Sequence, residues 1–382
     1  MNYYTSLALL ALLVDVRPFD AFVDGFSMPA VIRHRLRPTT QFKSSSSSSE
    51  MEIPQMFGVV APLIYKGPYY PCLSLIFPER NNNESFQFIL DTGANVNSIQ
   101  SDLVKKHKLS AMKNMGTPLA TSGMGGNFAP GDLVKLGDCK LDGLPPEQSH
   151  LMFMRGLTAA SLPHASPLDT SGLLGTPFFQ SFAGVEFDWY GTDGDPPTFI
   201  FYFGEDLPDS ATKDMAKVPL QRLEVDLFTV NISINGAQMP ALLDTGSPIT
   251  VINPKAAKDA GIEMASLKSS ESNEVIGLKV GGVDGNEMTL QKSRSPVSIE
   301  VSPFFSLGEG HVFVGDLPGL AFLESVLKLS AEEQEKDLHN TPPAAILGLD
   351  SLRRAYRVII QAGKGELWLE ELNDTKPIYR AS

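Results

Sequence analysis

Cysteine is nearly absent: Cys72 and Cys139 are the only two in 382 residues. Their spacing fits neither a metal-ligand set nor a redox motif, so thiolate metal sites and thiol exchange are excluded and at most one disulfide remains. Two small buried residues are the expectation for them. Long apolar runs are scarce too. Ser6 to Val16 is the longest at the N-terminus, too short to span a bilayer, and no other stretch is long and apolar enough for a membrane helix. Positive charge is in deficit, with 31 Lys and Arg against 44 Asp and Glu. Residues 1–50 hold 5 of the former and 4 of the latter, which leaves 26 against 40, or −14, for the remainder. A surface this acidic disfavours nucleic acid and anionic membranes as partners. With 42% hydrophobic and 20% charged residues, the chain has the balance of a globular protein, which argues against disorder.

Acidic residues are missing from Phe26 to Ser49, where Arg33, Arg35, Arg37 and Lys43 precede an unbroken serine run, Ser44 to Ser49. Together with the apolar run before it, this reads as a targeting presequence over residues 1–50. A signal-like core followed by a transit-like stretch resembles two-part plastid presequences and implies a plastid reached through the secretory pathway. The alternative is a secretory signal with a disordered propeptide, giving a secreted or endomembrane protein. Glycosylation tripeptides begin at Asn83, Asn231 and Asn373 and matter only on such a route.

What is present is a repeat. Phe88-Ile89-Leu90-Asp91-Thr92-Gly93-Ala94 returns as Ala241-Leu242-Leu243-Asp244-Thr245-Gly246-Ser247, 244 − 91 = 153 residues later. In both copies an apolar, strand-like run drives into a tight turn that carries a carboxylate. Further landmarks keep their order. Gly172-Leu173-Leu174-Gly175 answers to Ala345-Ile346-Leu347-Gly348, and His150-Leu151-Met152-Phe153 to His311-Val312-Phe313-Val314. Each copy also has a hairpin before its aspartate, the second marked by Asn235-Gly236, and a glycine-rich patch after it. Those patches make Gly123, Gly125 and Gly126 in one half, and Gly277, Gly281 and Gly282 in the other, candidate flap residues. The second copy carries an insertion, since 348 − 244 = 104 residues separate its Asp from its Gly, against 175 − 91 = 84 in the first. The excess, Leu317 to His339, reads as one amphipathic helix. The domains expected are 51–210 and 215–382, joined by a polar linker, Gly204 to Asp214. His150, His311, Trp189 and Trp368 lie in or beside apolar runs and read as structural.

If the two turns face each other, Asp91 and Asp244 share a proton, because two close carboxylates cannot both ionise cheaply. One is then a base for a water, the other an acid for a carbonyl. No metal or cofactor is required. Thr92 and Thr245 are placed to lock the turns together, while Gly93 and Gly246 leave room and offer N–H groups.

The paired Asp-Thr-Gly motifs, each followed by an apolar-apolar-Gly element, resemble the aspartic proteases, specifically two retropepsin-type modules in one chain. The resemblance spans roughly residues 57 to 372. It implies an all-β, bilobal fold with a few short helices, catalysis by Asp91 and Asp244, and a peptide or protein substrate held by a monomer that is an internal pseudo-dimer. A non-catalytic binding or scaffolding module of the same fold is the alternative. The pepsin-like flap tyrosine has no counterpart, since no Tyr lies between Ile99 and Trp189. Ala94 stands where the other half has Ser247, so one aspartate is expected to lack a hydroxyl donor and to work at milder pH.

Overall fold

The computed structural model describes Leu13–Val14 and residues 58–372, except 68–69, 80–83, 113–118, 123–127, 145–152, 164–167, 192–195, 265–276, 282–286, 302, 318–319, 322 and 325–341. Within these residues the chain is mostly strand, with helices of no more than six residues, such as Ser101–Lys106 and Pro254–Asp259. The all-β, bilobal expectation holds.

Local chemistry places the key elements. Asn235 and Gly236 take positive φ (48° and 84°), as a tight two-residue hairpin requires, and so pair Phe228–Ile234 with Ala237–Leu243. That register delivers Asp244 to the end of a buried strand. Pro254–Asp259 starts where the Asn253 side chain accepts a hydrogen bond from the Ala256 N–H, an N-cap with proline at the first helical position.

The first half folds as a 7-stranded sheet. Ser85–Leu90 pairs parallel with Gly172–Leu174, which pairs antiparallel with Ser98–Gln100. An added pairing of Tyr70–Ile76 with Leu133–Leu141 closes the sheet on itself. The second half repeats the centre: Ala237–Leu243 is parallel to Ala345–Leu347, which is antiparallel to Val251–Ile252. Here the sheet stays open and grows to 11 strands, taking in the hairpin Gly277–Gly281 and Glu287–Lys292. The corresponding hairpin of the first half, Leu119–Ser122 with Phe128–Gly131, is a separate 2-stranded ribbon.

A third sheet joins the halves. Its 6 strands run Ala216–Pro219, Glu366–Glu371, Ala355–Gln361, Gly184–Asp188, Thr198–Tyr202, Gly58–Pro62, three from each half in mirrored order. The antiparallel pair at its centre, Val185 opposite Ile360, marks the pseudo-two-fold axis. One apolar cluster runs through both halves and includes Phe187, Phe199 and Phe201 of the first and Val358, Ile360 and Leu367 of the second. Phe187 stacks on Trp189 at 4.5 Å, an arrangement that adds about 0.5–1.5 kcal/mol to simple burial.

Charge crosses the same seam. Arg357 donates to Glu186 (2.9 Å) and to Glu370, and Tyr202 donates to Glu186. Glu186 and Glu370 are buried, and the guanidinium compensates part of the cost of burying their charge.

Leu13–Val14, inside the region expected to stand apart as a presequence, pairs with Val280 and Gly281 at the sheet edge. An edge offers unpaired N–H and C=O groups that an extended apolar segment satisfies. The linker is not a free tether. Asp209–Thr212 is a helical turn, and Leu207 packs in a cluster with Tyr202, Ala211 and Ile359. Cys72 and Cys139 are both free and sit in different apolar clusters. Burial pushes each thiol up to about 12, which keeps it inert. Of the expected helix, Leu317 is described but not helical, Leu320, Ala321, Leu323 and Glu324 are helical, and the rest lies outside the described residues, as do His150, Asn83 and Asn373. Trp189 is buried in the main cluster, and Trp368 packs beside Ile359 under the Lys217 ammonium.

Candidate active site

Each aspartate ends a strand and is held by its neighbour in the sheet. The Asp91 N–H donates to the Leu174 carbonyl (2.9 Å) and that of Asp244 to Leu347 (3.1 Å). The apolar-apolar-Gly element is thus the strand that positions each catalytic candidate. Its glycine is obligatory, because a Cβ on Gly175 would lie 2.5 Å from the Ala94 and Val96 carbonyls, and one on Gly348 would lie 2.2 Å from that of Ile249.

The turns lock as a reciprocal pair. The Thr92 hydroxyl donates to the Leu243 carbonyl (2.7 Å) and accepts from the Thr245 N–H (3.0 Å). Thr245 mirrors this, donating to Leu90 (2.8 Å) and accepting from the Thr92 N–H (3.0 Å). Four hydrogen bonds therefore cross between the halves within two residues of the carboxylates. Gly93 and Gly246 each donate an N–H to the Oδ1 of their own aspartate at 2.8 Å. They also make room for the opposite one: a Cβ on Gly93 would sit 2.5 Å from Cγ of Asp244, and one on Gly246 would sit 2.3 Å from Cγ of Asp91. The carboxyl groups converge on one point from two halves of the chain.

The sequence profile described as aspartyl protease matches residues 78–178 and 230–303, once around each of these turns. Each half of the chain is thus similar to an aspartyl protease around its own Asp-Thr-Gly turn. No curated protein sequence matches it. Solved structures with a similar trace include basic 7S globulin from soybean, at 12% identity and TM-score 0.44, covering 82% of this chain and 95% of that one. Conglutin gamma, a basic 7S globulin from lupine seeds, gives 12% identity and TM-score 0.43 over 83% and 95%. At those TM-scores the likenesses have no bearing on what this site does.

Electrostatics follow from burial. Asp91 and Asp244 are almost wholly withdrawn from solvent. Desolvation holds both carboxyls well above the usual range, and for Asp91 the charge of Asp244 adds to it, against the lowering effect of the Gly93 N–H. Oδ2 of Asp91 has no hydrogen-bond partner among the described residues and is the oxygen open to a shared proton.

One expectation about this site is corrected. Ser247 does not give its hydroxyl to Asp244; it donates to the Ile249 carbonyl at 2.7 Å, inside its own turn. Neither aspartate receives a hydroxyl from the residue after Asp-Thr-Gly, so the Ala94/Ser247 difference is no source of pH asymmetry. The other named residues, Asp91, Thr92, Gly93, Asp244, Thr245 and Gly246, are brought together as expected. Gly277 and Gly281 bound one strand of the second flap hairpin, whereas Gly282, Gly123, Gly125 and Gly126 lie outside the described residues.

Two supporting residues escaped the sequence reading. Asn97 accepts from the Gly175 N–H (2.9 Å), and Thr250 accepts from the Gly348 N–H (3.2 Å) while its hydroxyl donates to Asp350 (2.6 Å). Both follow their aspartate by six residues (97 − 91 and 250 − 244), a shared offset masked by the change of residue type. Among the described residues, no cluster of three or more His, Cys, Asp or Glu is placed to hold a metal ion.

Proposed function

We propose that the chain is an aspartic endopeptidase that hydrolyses peptide bonds with a water activated between Asp91 and Asp244. The observation that carries this reading is the mutual fit of the turns, in which each glycine leaves the volume that the opposite carboxyl occupies. A pair carrying one proton supplies base and acid at once. The ionised carboxylate takes a proton from water, which attacks the carbonyl carbon while the protonated carboxyl donates to the carbonyl oxygen. Return of a proton to the nitrogen then releases the amine and restores the pair. The Gly93 and Gly246 N–H groups hold the carboxylates in place throughout.

The segregation of strands supports lobes at 51–210 and 215–382 and a monomer with a complete site. The basic, serine-rich stretch before residue 50 supports routing through the secretory pathway to a plastid, which residues 1–50 fused to a fluorescent protein would test.

Cleavage of a mixed peptide library between pH 3 and 8 tests the activity. Asp91→Asn and Asp244→Asn are each expected to lower it by about 10²–10⁴-fold or more. A statine-containing inhibitor is expected to block it. A folded wild-type chain that cleaves nothing at any pH yet binds such an inhibitor would instead establish the binding-module alternative.

A further inference from the structure

The strand that delivers each aspartate alternates its side chains. Ala241 and Leu243 enter the main core, whereas Leu242 lies on the opposite face with Ile346 of its parallel neighbour. Two residues on from Leu242, Asp244 returns to that same face. The apolar cluster around Leu242 therefore walls the sheet face to which Asp244 returns. On the Asp91 side the matching cluster holds Tyr70, Cys72, Ile89, Ala94 and Leu173.

The walls differ in what covers them. On the Asp244 side, the flap hairpin lays Leu278, Val280, Met288 and Leu290 onto the cluster, and the extra segment of the second half adds Leu317, Leu320 and Leu323. These three leucines recur at helical spacing and are fully buried. Their segment is tied down at one point. The Asn253 side chain donates to Glu324 Oε1 (2.6 Å) and to the Pro342 carbonyl (2.8 Å), and accepts from the Ala344 N–H (3.3 Å). A single buried amide thus holds both ends of the stretch 325–341.

We propose that Leu320 and Leu323 are specificity-determining residues that fill the side-chain subsite on the Asp244 side of the cleft, so that a bound peptide presents a small side chain there. This rests on the peptide-binding reading of the site given above. Interiors pack too densely to take in another large group without strain, and a wall already filled by leucines leaves room for little more than a methyl. Trimming either leucine opens a cavity that a larger apolar side chain can enter.

The experiment uses the full chain, Leu320→Ala, Leu323→Ala and, as a control for general destabilisation, Leu307→Ala in the main core of the same half. Peptides and statine-containing inhibitors are varied from Ala to Leu and Phe on each side of the reacting bond. The wild type is expected to prefer Ala on one side. Leu320→Ala and Leu323→Ala are expected to shift that side toward Leu or Phe by about tenfold or more, in kcat/KM and in inhibitor affinity, and Leu307→Ala is not. Cleavage with a preference unmoved by the two cleft variants, or moved equally by the control, overturns the proposal and leaves the protease reading intact. Absence of cleavage with the inhibitor shift present does the reverse, and absence of both cleavage and inhibitor binding overturns both.

Discussion

The two halves of this protein are nearly superimposable at the aspartates and diverge with distance from them. Around Asp91 and Asp244 even the hydrogen-bond lengths agree, at 2.7 against 2.8 Å for the threonine hydroxyls and 2.8 Å for both glycine N–H groups. Farther out, the first half closes into a barrel with a detached flap ribbon, whereas the second opens into an 11-stranded sheet with its flap built in. Symmetry is kept where two halves must share one proton and one clamp. It is given up where each half meets only its own surroundings.

Breaking the seam tests how far the halves depend on each other. Arg357→Ala removes the guanidinium that donates to the buried Glu186 and Glu370, and is expected to cost about 3–5 kcal/mol by denaturant unfolding. Loss in only one half, seen as two separated transitions, would show that the halves fold independently across the shared sheet. The threonine clamp sharpens the comparison at the site itself. Thr92→Val and Thr245→Val each strand a buried carbonyl and a buried N–H and should destabilise by about 1–3 kcal/mol. Equal losses are expected, and a clear inequality would mean the reciprocal bonds are not equivalent in strength.

The flaps should differ in protection. Amides of Leu278 to Val280, held within a large sheet and over an apolar cluster, are expected to exchange at least about tenfold more slowly than those of Ala120 and Thr121 in the 2-stranded ribbon. The reverse order in a hydrogen-exchange measurement would remove the asymmetry. The smallest effect concerns pH. Both dyad carboxyls are raised above 3.8, chiefly by burial, and burial also pushes Asp188 up to about 6. An acid raised by folding binds its proton more tightly when folded. Its contribution is complete below the unfolded value and is lost as pH rises through the folded one. At pH 7, Asp244→Asn is therefore expected to melt about 2–4 °C above wild type, a margin that closes by pH 4. A variant that melts lower at neutral pH would refute the raised dyad.

The legible parts of the molecule were those written twice. Asp-Thr-Gly and the apolar-apolar-Gly strand are local signals that survive in each copy, and the Asn235-Gly236 hairpin is legible from its turn chemistry alone. Thr92 and Thr245 could be given their role because both copies keep the hydroxyl. Asn97 and Thr250 do one job with different side chains, so comparing the copies concealed them. The Ser247 hydroxyl was misassigned because its choice between Asp244 and the Ile249 carbonyl depends on the turn's shape, which residue type does not specify. The shared sheet was hidden for another reason. Each of its strands is legible alone, but nothing in a short stretch says that Gly184–Asp188 will pair with Ala355–Gln361.

That central pairing has a consequence for how the protein is made. Val185 meets Ile360, and 360 − 185 = 175 residues must be translated between them. At about 5–20 residues per second, the first half waits about 10–35 s on the ribosome with a bare, apolar strand edge. A message truncated before residue 355 therefore yields a product whose Gly184–Asp188 strand keeps an open edge, prone to aggregate.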